Sequence, residues 1–119
     1  MGDFRKLEVW QAAHDLTLRI YKLTSKLPPS EKFGLVPQIR RAAVSVESNL
    51  VEGDSRYSYK DKIRFFVISR GSIAEIKTQL LVIKDLYHQL AEDALEIFDD
   101  YSTLEKRLNK LISYHRRRK

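Results

Sequence analysis

Apolar residues recur along this chain at alternating spacings of three and four, the period of a helix with one buried face. Val9, Ala13, Leu16, Ile20, Leu23 and Leu27 form the first such seam and predict a helix over about residues 6–26, flanked by Trp10 and Tyr21. Pro28 and Pro29 end it, because proline disfavours helical geometry before it and has no amide to donate. Val36, Ile39, Ala43, Val46 and Leu50 predict a second helix over about residues 36–52. Pro37 suits its first turn, and Gly53 stands where a C-terminal glycine cap would. Ser58 is the predicted N-cap of a third helix over about residues 59–89, with Asp61 in its first turn. Ala94, Ile97, Tyr101, Leu104, Leu108 and Leu111 predict a fourth over about residues 92–114.

The third helix carries two adjacent seams. Phe66, Ser69, Ile73, Ile76, Leu80, Ile83, Tyr87 and Leu90 make one; Ile63, Val67, Gly71, Ala74, Thr78 and Leu81 make the other. Either the second seam meets another subunit, or this helix is central and buried all round. No stretch reads as a strand, and short connections between long helices favour antiparallel neighbours. The expected fold is all-α: one domain over residues 1–119, an up-down-up-down antiparallel four-helix bundle that assembles as a ring-shaped homo-oligomer.

Composition narrows the class. The chain has 119 residues, 43% hydrophobic and 32% charged, enough for one modest core. Cysteine is absent, which removes disulfides, thiolate metal sites and cysteine nucleophiles. The first residues lack the apolar core of a signal peptide, and runs such as Phe65–Ile68 are too short to span a bilayer. A cytoplasmic protein without a membrane role is expected. The formal net charge is +6, of which Arg116, Arg117, Arg118 and Lys119 supply four. A basic tail over residues 115–119 attracts polyanions through nonspecific charge, or simply solvates the chain.

No pattern of catalysis is present. A di-iron bundle needs paired Glu-x-x-His motifs, and this chain has none; His14, His88 and His115 have no ligand spacing. A nucleophile elbow, a phosphate-binding loop and a dinucleotide fingerprint are also missing. No enzyme activity, metal, cofactor or small-molecule substrate is expected. Gln38, Ala42, Ser45, Asn49 and Glu52 form a stripe of mostly small polar groups beside the second seam, suited to a close, hydrogen-bonded helix contact. Gly71 and Ser72 lie mid-helix, where glycine costs roughly 1 kcal/mol relative to alanine, so a close approach by another backbone or ring is expected there. Glu75 is a candidate partner for Arg40, Arg41 or Arg56 across helices. Arg70, Lys77, Lys84 and His88 share a face of the third helix, which is either a phosphate-tracking line or a solvated surface. Tyr57 and Tyr59 beside Arg56 and Lys60 come nearest to a base-stacking platform.

Several motifs together carry a family resemblance. They are Leu7-Glu8-Val9-Trp10-Gln11 with Ala13; Tyr21-Lys22-Leu23-Thr24; and Pro28 with Glu31, Phe33, Gly34 and Leu35. Further on come Gln38-Ile39-Arg40-Arg41-Ala42-Ala43, Ser45, Asn49, Glu52-Gly53, Arg56, Arg64-Phe65-Phe66, Gly71-Ser72 and Glu75. Across nearly its whole length the chain resembles the bacterial four-helix-bundle proteins encoded in intervening sequences of 23S ribosomal RNA genes, once labelled ribosomal proteins. It departs at Glu47, where the family often has proline, at Leu50-Val51, and at Lys77, where the family often has a second carboxylate. The resemblance implies a cytoplasmic bundle that forms a ring, typically a homopentamer, with no established enzymatic activity. It is also similar to the accessory protein of diversity-generating retroelements, a basic pentameric barrel that partners a reverse transcriptase and nucleic acid.

The leading expectation is therefore a noncatalytic ring that binds RNA, DNA or a nucleic-acid enzyme. Its candidate phosphate contacts are Arg40, Arg41, Arg56, Arg70, Lys77, Lys84 and Arg116–Lys119. Candidate contacts between helices or subunits are Gln38, Ala42, Ser45, Asn49, Glu52, Gly71, Ser72 and Glu75. The alternative is a structural adaptor for another protein. A third reading, an RNA-processing enzyme, would need Glu52 and Glu75 to hold a metal together.

Overall fold

In the computed structural model, which describes residues 3–118, the principal seams line the bundle core, except that Val36, Tyr87 and Leu111 are only half-buried and Ile112 takes the last core position of the fourth helix. Helix α1 spans Glu8–Thr24, α2 Leu35–Asp54, α3 Tyr59–Leu86 and α4 Ala91–Arg116. Single 3-10 turns occupy Phe4–Lys6, Pro29–Glu31 and His88–Leu90, and no strand occurs among the described residues. Ser58 caps α3 as its position predicts, its hydroxyl accepting from the Asp61 amide at 3.1 Å.

Contacts between helices fix their directions. The Thr17 hydroxyl reaches the Ala43 carbonyl at 3.3 Å and Arg40 Nε reaches the Thr24 hydroxyl at 2.8 Å, so α1 and α2 run antiparallel. Ser69 donates to the Val46 carbonyl at 2.6 Å, and Ser45 and Ser72 share a hydrogen bond of 2.9 Å. Lys77 meets Glu105 at 3.2 Å and Arg70 donates to Asn109 at 3.0 Å. Lys26 with Asp93 and Arg107 with Glu8, both at 3.5 Å, close α4 onto α1. The result is an up-down-up-down four-helix bundle measuring 48 × 21 × 20 Å. Its core includes Ile20, Ile39, Leu50, Phe66, Ile76, Leu80, Leu104 and Leu108. Tyr101 is also fully enclosed; burial first, and the nearby Glu47 charge second, push its phenol far above the ordinary value.

Several boundaries differ from expectation. Residues 6 and 7 precede α1, because Asp3 caps a separate 3-10 turn through the Arg5 amide at 3.0 Å. Beyond Thr24 the chain tightens, with Lys26 and Leu27 amides bonding three residues back at 3.1 Å. Helix α3 stops at Leu86 rather than residue 89, since Tyr87 leaves helical geometry (φ −124°, ψ 81°). The Tyr87 hydroxyl donates to Glu31, and the turn that follows buries Leu90. Helix α4 continues past residue 114 through Arg116, so the basic segment begins as helix.

Gly53 is not a cap. Helix α2 runs through it to Asp54, and no described glycine has positive φ. A Cβ at Gly53 would lie 2.6 Å from Phe66 Cε1 and 3.2 Å from the Lys62 carbonyl, so the missing side chain lets α3 close onto α2. Gly71 shows the reverse: nothing stands within 4 Å of where its Cβ would be, and the expected close approach is absent within this chain. Ile63 and Val67 are half-buried, while Gly71, Ala74, Thr78 and Leu81 are exposed. Exposure of that second seam rules out the fully buried central helix.

Candidate nucleic-acid interface

The antiparallel topology gathers the start of α1, the end of α2, the start of α3 and the end of α4 at one end of the bundle. Residues 3–11, 52–64 and 106–118 carry twelve basic and five acidic side chains, whereas the rest of the described chain carries nine basic and eleven acidic. The net charge of the protein thus resides at this end. It arises because α4 is acidic in its first turns and basic in its last, a polarity that also complements the helix dipole.

Packing places these cations. Gly53 admits the Phe66 ring, and His115 near the end of α4 lies over Phe66 and Tyr59, with ring centroids 5.6 and 5.3 Å apart. The start of α3 and the last turn of α4 are thereby held together, so Arg116, Arg117 and Arg118 lie at the same end of the bundle as the start of α3. Burial, then Lys62 and Arg118, hold the His115 imidazole below its ordinary value, opposed by Asp54. Lys62 donates to the Asp54 carbonyl at 2.9 Å, tying α3 to the end of α2. The Arg118 guanidinium lies 4.4 Å from the Tyr114 ring centre. Arg56 and Arg64 converge on one ring, with guanidinium carbons 4.6 and 5.5 Å from the Phe65 centre. Glu52 at 3.2 Å is the carboxylate paired with Arg56. An open groove of about 400 Å³, lined by Asn109, Lys110, Ser113 and Arg117, continues the basic surface along α4.

The other proposed phosphate contacts stand away from this end or are engaged in packing. Arg40 is drawn inward, bonded to Thr24 and to the Tyr21 carbonyl at 3.3 Å, with its guanidinium 4.4 Å from the Tyr21 ring centre. Arg41 is exposed on α2, away from the basic end. The line of Arg70, Lys77 and Lys84 is no open row, because it follows the α3–α4 seam. Arg70 bonds Asn109; Lys77 bonds Glu105 and lies 4.9 Å from the Phe98 ring centre; Lys84 meets Asp85 at 3.3 Å. Lys77, the departure from the family pattern, is thus committed to α4. Lys119 lies outside the described residues. Sequence reasoning did not count Arg64, Lys62 and Lys110 among the phosphate contacts and named Lys60 only beside the tyrosines; Lys60 and Arg64 share a face of α3, but they join the cations of α4 only when the start of α3 packs against the end of α4.

The polar stripe on α2 divides. Ala42 is buried; Asn49 donates to the Ser45 carbonyl at 2.8 Å and to its hydroxyl at 3.1 Å, and Ser45 joins Ser72. Gln38 and Glu52 are exposed. Glu75 meets none of Arg40, Arg41 and Arg56 among the described residues, accepting instead from Gln79 of its own helix at 3.4 Å. Gly53, next to Glu52, meets Phe66, and Phe66 is nine residues before Glu75, or roughly 13 Å along the α3 axis at 1.5 Å per residue. The two carboxylates do not meet, and no group of three or more His, Cys, Asp or Glu that could hold a metal occurs among the described residues. No described helix is long and apolar enough to cross a membrane.

These features define an all-α bundle protein with one basic end. Residues 5–110 match the 23S rRNA-intervening sequence protein family, and the chain belongs to that family. Its fold is similar to a crystal structure of a protein of unknown function from the S23 ribosomal protein family of Bacteroides thetaiotaomicron VPI-5482. That likeness has a TM-score of 0.77 at 22% identity and covers 87% of this chain and 97% of the other. No curated protein matches.

Proposed function

We propose that this protein is a noncatalytic, nucleic-acid-associated accessory or scaffold protein of the bacterial cytoplasm, and that the basic end of the bundle is its contact surface. The observation that carries this reading is the separation of charge: twelve cations against five anions at one end, and a slight acidic excess elsewhere. Clustered guanidinium and ammonium groups neutralise phosphates and release condensed counterions, so binding should weaken steeply with salt. Arg56, Arg64, Arg116, Arg117 and Arg118 are the assigned phosphate contacts, in place of Arg70, Lys77 and Lys84.

The outer face of α3 supports self-association as part of the same function. Val67, Ile68, Gly71, Ala74, Leu81 and Val82 leave a mostly uncharged surface interrupted by Glu75. The assembly we propose is a ring of five, the count the family resemblance implies, in which modest charge per chain is multiplied. A protein-binding adaptor without nucleic acid is the second reading, favoured by the same face.

RNA-binding titrations across a salt series test the function. Affinity should fall log-linearly with salt, and R56E/R64E should lower both affinity and slope, while R19E at the opposite end of α1 should change little. Salt-independent binding would overturn the electrostatic reading, and a clean assembly that binds no nucleic acid would favour the adaptor.

A further inference from the structure

We propose that the basic end takes single-stranded nucleic acid in preference to duplex, with Tyr57 stacking on an unpaired base. This rests on the nucleic-acid reading and specifies its substrate class. Tyr57 is 98% exposed in the connection between α2 and α3, and its ring lies in no aromatic pair among the described residues. The connection is nonetheless held on both sides. The Arg56 amide bonds the Gly53 carbonyl at 3.1 Å, and Ser58 is engaged as the cap of α3 through the Asp61 amide at 3.1 Å. Arg56 is further fixed by Glu52 and by the Phe65 ring. Tyr57 is therefore presented from a tethered turn, and less ordering is needed when it engages a ligand.

Exposure alone does not select it. Phe33 is 88% exposed in the connection between α1 and α2, but it lies at the opposite end, where charges of both signs balance. Tyr57 has Arg56 next to it and Arg64 converging on the same Phe65 ring, a pair of guanidiniums with Glu52 as the paired carboxylate. A flat ring beside paired cations complements a base with its attached phosphates, which is how proteins grip single strands without reading sequence. Bases within a duplex already stack on one another and offer no face to such a ring.

The test is fluorescence anisotropy with a labelled oligoadenylate, alone and paired with its complement, at one fixed low salt. Wild type should bind the single strand about tenfold more tightly than the duplex. Tyr57→Ala should lose about that factor on the single strand and change duplex affinity little, Tyr57→Phe should retain it, and Phe33→Ala should be silent. Circular dichroism verifies that the variants fold. Equal affinity for both forms, or a Tyr57→Ala variant that binds the single strand as wild type does, would overturn this inference and leave the nucleic-acid reading standing. Failure of wild type to bind either form would overturn both.

Discussion

Helix α3 carries two adjacent seams, and most of the second meets the opposite fate of the first. Phe66, Ser69, Ile73, Ile76, Leu80 and Ile83 are sealed between α2 and α4, while Gly71, Ala74, Thr78 and Leu81 face outward. Ser69 reaches the Val46 carbonyl on the inner side; on the outer side the Thr78 hydroxyl bonds back to the Ala74 carbonyl of its own helix, at 3.2 Å. Helical periodicity states that a line of residues can be buried together. It does not state what buries it, and in one chain the supply of partner helices runs out after the inner seam.

Truncation should separate the seams most sharply. Ile76→Ala should cost about 2–5 kcal/mol in urea unfolding, through lost burial and the cavity left behind. Leu81→Ala should stay within about 0.5 kcal/mol for an isolated chain. If both cost the same at high protein concentration but only Ile76→Ala does on dilution, the outer seam is buried in an assembly.

The two glycines give a smaller version of the same contrast. Gly53→Ala should destabilise by about 1–3 kcal/mol, because the new methyl strikes the enclosed Phe66 ring. Gly71→Ala meets open space and should stabilise the chain by about 0.5–1 kcal/mol. A destabilised or dissociated Gly71→Ala would instead place another backbone against α3. Native mass spectrometry of that variant beside wild type distinguishes the two.

The smallest effect is set by pH. His115 is held below its ordinary value in the fold, so the unfolded chain takes up the proton more readily. Stability should fall as pH drops through the ordinary histidine value of 6.5 toward the lowered folded value, and no further below it. Lys62 and Arg118 oppose the protonated ring and Asp54 favours it, so the loss should be local to the junction of α3 and α4. Melting temperatures of wild type and His115→Gln across this range check the sign; equal slopes would remove His115 as the cause.

Much of the architecture was legible because it is local. Four periodic seams, Pro28-Pro29 and the Ser58 cap placed the helices, and each depends on residues within a turn or two. The break at Tyr87 was not legible, since its phenol is held by Glu31 from a different part of the chain. Gly53 misled for a related reason: glycine after an apolar seam has the form of a cap, yet its use is to admit Phe66 from the next helix. The candidate site divided in the same way. Arg56 and the 116–118 cations were visible as charge, but their gathering with Lys60, Lys62 and Arg64 was not, and Arg70, Lys77 and Lys84 shared a face that turned out to be a helix–helix seam.

The sequence by itself determined an all-α chain, the order and approximate extent of its helices, and an excess of positive charge, because helical periodicity and net charge are sums over neighbouring residues. Tertiary structure decided which seam of α3 is left open, which glycine is needed, and that the positive charge lies at one end. Those outcomes depend on distances between segments far apart in the chain, and antiparallel packing is what sets those distances.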